Sequence, residues 1–198
     1  MGKTLYKVRI IRYNTRKQNR GAKQMRLFIA VPLPRDVQKK VFAFEQALRA
    51  ASTGGRFVPA GTHHVTLRFI GESNDLADIA FAMDQAVSDA RPFALKLGGY
   101  GWFDHGGART SFLRAEGDLN ELYRIHEMLE TNLWERGFCK GKGRLIPHIT
   151  LGRAVEHGDI SHLLPPENAS FRVNSIVLYE STNERGRMVY TPVHTARF

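Results

Sequence analysis

The sequence holds one cysteine, Cys139, among 198 residues, so no disulfide can form within the chain and a reducing compartment is expected. No apolar run approaches the roughly 20 residues that cross a bilayer. The N-terminus also lacks the continuous apolar stretch of a secretory signal. A cytoplasmic protein without membrane attachment is therefore the expectation. The glycine-rich G-x-G-x-x-G fingerprint is missing, which counts against a doubly wound dinucleotide-binding sheet. There is no HExxH string and no Cys/His ligand spacing, so neither a metal site nor another cofactor is expected. Low-complexity tracts and Pro- or Ser-rich linkers are lacking too, and nothing splits the body into separate domains.

Acidic residues are missing from one region altogether. Residues 1–24 carry eight of the 29 basic side chains and no Asp or Glu, which leaves 21 basic against 19 acidic residues for the rest. The net charge of +10 is thus mostly that of an N-terminal arm on a nearly neutral body. The arm is rich in Arg, Lys, Asn and Gln and is expected to be disordered. It reads as an RNA-binding tail, as a transit-like segment, or as an extension upstream of a functional start at Met25. Residues 25–198 form the single expected domain.

What is present, from Met25 onward, is a succession of short strands and helices. "RLFIAVP" (26–32) reads as a strand, and 35–51 as a helix with a stripe at Val37, Val41, Phe44 and Leu48, closed by Gly54–Gly55. A strand at 63–70 precedes a helix from about Asp75 to Ala90, with Asn74 as cap candidate. "FALKLGGYGWF" and "TSFLRAEG" suggest a hairpin, 118–137 a helix, 146–151 a strand, and "SFRVNSIVLYES" with "RMVYTPV" a final strand pair. This order makes the fold class α+β.

Two tetrapeptides carry the chemistry: "HVTL" at 64–67 and "HITL" at 148–151. Composition alone yields about 0.04 His-x-Thr-Leu strings in such a chain, so two are not a casual coincidence. On a strand, residues two apart share a face, which puts His64 beside Thr66 and His148 beside Thr150 while the intervening apolar residues face a core. His63 has the opposite parity and should not share the task of His64. An imidazole titrates near neutrality, so of two such histidines one can act as base and the other as acid. Phosphodiester hydrolysis needs that pair, together with donors for the phosphoryl oxygens, which the threonine hydroxyls supply.

With "RLFIAVPLP", "HHVTLRFIGE", "PHITLGR" and "LYESTNERGRMVYTP" in this order, the chain from Met25 to Phe198 is similar to the two-histidine phosphoesterases. Within them it resembles the bacterial and archaeal RNA 2′,3′-cyclic phosphodiesterases, also called 2′-5′ RNA ligases. The resemblance implies a bilobal, duplicated fold with two antiparallel sheets flanking a central cleft and helices on the outer faces. It also implies a monomer that needs no metal and acts on RNA or oligonucleotides ending in a 2′,3′-cyclic phosphate. His64 and His148 carry over as the catalytic pair, with Thr66, Thr150 and Arg153 binding phosphate. By the same likeness His148 activates water and His64 protonates the leaving 3′ oxygen, giving a 2′-phosphate; run backwards, the site would join ends through a 2′-5′ linkage.

Strand parity argues against Arg153, which is odd where His148 and Thr150 are even, unless Gly152 breaks the alternation. Arg68 has the parity of His64 and Thr66 and could add charge to the cleft. Phe28 and Phe112 sit where an aromatic could stack on a base, although the family often has tryptophan at the second position and core packing explains either one alone. The rival class is a non-catalytic nucleotide- or RNA-binding module on the same fold, but a binder has no need of a paired acid and base.

Overall fold

The computed structural model describes residues 23–106, 108–141, 143–167 and 169–198. The expectation for the basic arm therefore lies, apart from Lys23 and Gln24, outside the described residues. The elements run β1 (Met25–Pro32), α1 (Arg35–Ala50), β2 (Ser52–Phe57), β3 (His64–Ser73), α2 (Leu76–Val87), β4 (Phe93–His105), β5 (Ala108–Gly117), α3 (Leu119–Glu135), β6 (His148–His157), β7 (Ser170–Val173), β8 (Ser175–Glu184) and β9 (Arg187–Arg197). The α+β class holds.

All the strands belong to one antiparallel sheet in the order β7-β4-β5-β6-β3-β1-β8-β9, with β2 pairing β6 off this path. The resemblance implied two sheets; the structure has one, in which β7-β4-β5-β6 and β3-β1-β8-β9 are contiguous runs. They meet at a single register pair, Val65 with Ile149, between the two strands that carry His-x-Thr-Leu. The sheet is strongly curled. Strands β7 and β8 stand six places apart, about 29 Å if the sheet were flat, yet only Asn174 separates them in the chain. Phe93 of β4 accordingly stacks on Phe198 at the chain end, 6.1 Å between centroids.

One face of this sheet is apolar. Ile29, Val65, Leu113 and Ile149 share a core with the inner stripes of α1 (Val37, Val41, Leu48), α2 (Ile79, Met83) and α3 (Leu122, Ile125, Leu129), which are completely or almost completely buried. Helix α3 ends as expected at Gly137, whose φ of 82° suits a residue without Cβ.

Three local expectations are corrected. Gly54 and Gly55 do not close α1. They lie in β2, where Gly55 has φ 128° and a Cβ would stand 2.9 Å from the Val155 Cα, so glycine lets β2 lie against β6. Asn74 does not cap α2: Asp75 holds the N-cap position, and the Asn74 Oδ1 accepts from the Met25 backbone N–H instead (3.3 Å). "SFRVNSIVLYES" is two strands, since its first four residues pair with β4 and the remainder with β1.

Candidate active site

The two histidines open their strands in the same way. His64 Nδ1–H donates to the Thr62 carbonyl (2.7 Å) and His148 Nδ1–H to the Ile146 carbonyl (2.6 Å). A ring nitrogen facing a carbonyl must bear the hydrogen, so in each neutral imidazole the free lone pair is on Nε2. Residues Val65, Leu67, Ile149 and Leu151 are buried in the core, which turns the alternate positions, His64, Thr66, His148 and Thr150, to the other face.

Both strands then bulge at the same place. In β3 the register passes from Ala30↔Thr66 to Ile29↔Arg68, leaving Leu67 over; in β6 it passes from Phe112↔Thr150 to Ser111↔Gly152, leaving Leu151 over. An extra residue inverts the parity of the positions beyond it. The next residue on the cleft face is therefore three beyond each threonine: Phe69, opposite Phe28, and Arg153, opposite Thr110. The parity objection to Arg153 disappears, and its charge reaches Tyr190 across the cleft.

The same geometry corrects the expectation for Arg68, which the bulge removes from the face of His64 and Thr66. Its Nε lies 3.0 Å from Glu130 of α3, and its guanidinium also donates to the Cys139 carbonyl, so its charge is already partnered. Phe28 and Phe112 are 4% and 5% exposed and back the histidine rings at 4.8 and 5.3 Å. Neither offers an open face: Tyr179 and Tyr190 cover Phe28, and Phe103 covers Phe112. Gly101 makes room for the Phe112 ring, since a Cβ there would meet it at 2.8 Å.

Tyr179, Tyr190 and Phe103 are site residues that parity and motif reading passed over. The tyrosines lay within "LYESTNERGRMVYTP", but only the placing of β8 beside β1, and of β9 beside β8, brings them to His64. His63 has its own surroundings. Its Nε2 meets Glu45 Oε2 at 2.8 Å with both side chains fully buried, and Gln38 approaches both its Nδ1 and its carbonyl. Residue 63 is thus clamped to α1 directly before His64, whereas Pro147 stands at the corresponding place before His148.

The electrostatics follow the packing. Burial depresses His64 to about 4, opposed by its bond to Thr62 and reinforced by the charges of His63 and His148. Burial also lowers His148, against its bond to Ile146. Tyr179 and Tyr190 are raised by burial, the latter partly restored by Arg153 and Arg26. Among the described residues no group of three or more His, Cys, Asp or Glu gathers as metal ligands, and no helix is long and apolar enough to cross a membrane. A cavity of about 780 Å³ opens beside Thr66 and His148 and runs toward α3.

Residues 35–185 match a profile described as the 2′-5′ RNA ligase superfamily. The chain is 30% identical over 173 residues to an RNA 2′,3′-cyclic phosphodiesterase of Geobacillus stearothermophilus, a match that takes in 82% of this chain and spans only 54% of that relative. It is 25% identical over 182 residues to the RNA 2′,3′-cyclic phosphodiesterase of Thermotoga maritima, covering 88% of this chain and 96% of that one. Among solved structures, E. coli LigT in apo form superposes with a TM-score of 0.72 at 26% identity, covering 89% of this chain and 98% of LigT. LigT complexed with 3′-AMP gives 0.70.

Proposed function

The chain belongs to the 2′-5′ RNA ligase superfamily, and from that premise we propose that it is an RNA 2′,3′-cyclic phosphodiesterase acting through a paired-histidine mechanism. The observation that supports this most is the duplicated constellation: two histidines, each with Nδ1–H on a carbonyl two residues upstream and a threonine beside it on the cleft face. The relatives' names and the LigT complex with 3′-AMP point to the same chemistry.

In the proposed reaction the cyclic phosphate sits between the strands, its non-bridging oxygens held by Thr66, Thr150 and Arg153. His148 Nε2 takes a proton from water as the water oxygen bonds to phosphorus. The bond from phosphorus to O3′ breaks, and His64 Nε2 delivers a proton to O3′, leaving a 2′-phosphomonoester. With its pKa near 4, His64 is neutral in the empty cleft at pH 7; the anionic phosphate is what favours its protonated form. With a 5′-hydroxyl in place of water and the same roles, the step forms a 2′-5′ linkage as O3′ leaves; with the roles exchanged, that linkage is cleaved back to the cyclic end.

The test is incubation with an oligoribonucleotide ending in a 2′,3′-cyclic phosphate, in EDTA, with the product identified by mass and by resistance to a 3′-phosphate-specific phosphatase. A 2′-phosphate, lost in both His64→Ala and His148→Ala, is the expected result. A 3′-phosphate would reverse the leaving-group assignment. Tight nucleotide binding with no turnover would overturn the enzyme reading in favour of a binding module.

A further inference from the structure

The cavity beside His148 is longer than a cyclic phosphate needs. One end opens on Thr66 and His148, and from there it passes Phe69 and reaches the segment carrying Lys140 and Arg144. Its wall is one stripe of α3, flanking the buried Leu122, Ile125, Leu129 and Leu133: His126, Glu127, Glu130 and Thr131 line it. Tyr123 and Trp134 extend the same stripe to either side at helical spacing.

Among the described residues the charges facing this groove are Arg68, Lys140 and Arg144 against Glu127 and Glu130. Glu130 is taken up by Arg68 and by the Gly141 backbone N–H (2.7 Å). Lys140 and Arg144 have no carboxylate partner among the described residues. Each instead lies 5.7 Å from an aromatic ring of α3, Lys140 over Trp134 and Arg144 over Tyr123. Phe69, 63% exposed, and Ile146, 52%, present open apolar faces in the groove, and Trp134, 57% exposed, lies outside its lining under Lys140. A buried His126 Nδ1 has no hydrogen-bond partner among the described residues. Cations interleaved with exposed rings along a groove are the features that hold a single nucleic-acid strand, the cations meeting phosphates and the rings meeting bases.

We propose that this groove binds the RNA strand immediately 5′ of the cyclic end, with Arg144 and Lys140 pairing with its backbone phosphates. The proposal rests on the cyclic-phosphodiesterase reading above. Continuity with the site selects this occupant: a strand whose cyclic end lies at His148 and Thr66 must leave the cleft, and the groove begins at those residues.

The test compares kcat/KM for a 2′,3′-cyclic mononucleotide and for a five-nucleotide RNA with a cyclic end, in wild type, Arg144→Glu and Lys140→Glu. Wild type should prefer the oligonucleotide at low salt. Each charge reversal, on an exposed side chain, should cost that substrate about five- to tenfold, mainly in KM, and leave mononucleotide turnover unchanged. Replacing Arg144 by Gln should lower the salt slope of oligonucleotide KM by about 0.7. Equal rates on both substrates in wild type, or variants that slow both alike, would overturn the groove while leaving the phosphodiesterase reading intact. Absence of turnover on either substrate would overturn both.

Discussion

The half of the sheet that carries His64 and the half that carries His148 share a plan and differ in what fills it. Each has a histidine anchored through Nδ1, a threonine two residues on, a leucine bulge and a third cleft residue three beyond the threonine. On the His64 side that third residue is Phe69, and the ring of His64 lies against Phe28, Tyr190 and, farther off, Tyr179. On the His148 side it is Arg153, with Phe103 and Phe112 against the ring. Burial dries both histidines, His64 down to about 4; the His148 half in addition puts a cation, Arg153, on the cleft face. Two environments that shift otherwise identical groups differently are what an acid–base pair requires.

The strongest challenge to this comparison is to remove each histidine in turn. His64→Ala and His148→Ala should each lower kcat by about 10²–10⁴-fold on a cyclic-ended oligonucleotide. The double variant should lose little more than the worse single one, because acid and base act as a unit. A single variant that kept most of its activity would reduce that half to scaffolding.

Next in size is the difference in how each motif is held from behind. His63→Ala strands the fully buried Glu45 carboxylate with only the half-exposed Arg49, 3.4 Å away. Loss of one partner of a buried pair should cost about 3 kcal/mol in denaturant unfolding. Pro147→Ala keeps the Pro147 carbonyl that accepts from Ala115 N–H, so its cost should be nearer 1 kcal/mol. Equal losses would mean that the α1 clamp contributes no more than a proline ring.

The two histidine-bearing strands were legible because the period of two and the repeated tetrapeptide are local signals, and so was the α3 stripe that ends at Gly137. What escaped depends on pairing across the chain. The bulges at Leu67 and Leu151 exist only relative to β1 and β5, so parity mistook Arg68 for a cleft residue and argued against Arg153. Strand β2 is glycine-bearing and sends only Phe57 against the core, hence it read as a helix stop. Nothing within "SFRVNSIVLYES" marks Asn174 as the point where the chain leaves one half-sheet for the other. Glu45 looked like an ordinary helix carboxylate until the fold brought His63 to it.

The threonines should divide along the same line, with smaller effects. Thr66→Val and Thr150→Val keep shape and strand preference while deleting a hydroxyl aimed at an anion, a loss of about 10- to 100-fold in kcat/KM. With Arg153 on its own half, Thr150 should prove the less sensitive. Arg153→Ala should then make Thr150→Val as damaging as Thr66→Val. Thr150→Val losing as much as Thr66→Val while Arg153 is intact would remove Arg153 from the phosphate site.

The smallest effect is on acid stability, and it separates the two histidines without any substrate. The folded His64 sits near 4 against an unfolded value near 6.5, so it contributes stability that is complete above pH 6.5. As the pH falls from there toward 4, the unfolded chain binds a proton that the folded ring refuses, and stability is lost. Partial screening holds this contribution to about 1–2 kcal/mol. His64→Gln has no such proton to refuse, so its unfolding free energy should fall less than that of wild type between pH 6.5 and 4. Adding inorganic phosphate should flatten the wild-type curve in the same interval, because an anion in the cleft favours the charged ring. A His64→Gln curve parallel to wild type would mean that the rings around His64 do not keep this imidazole dry, and the electrostatic difference between the halves would then rest on Arg153 alone.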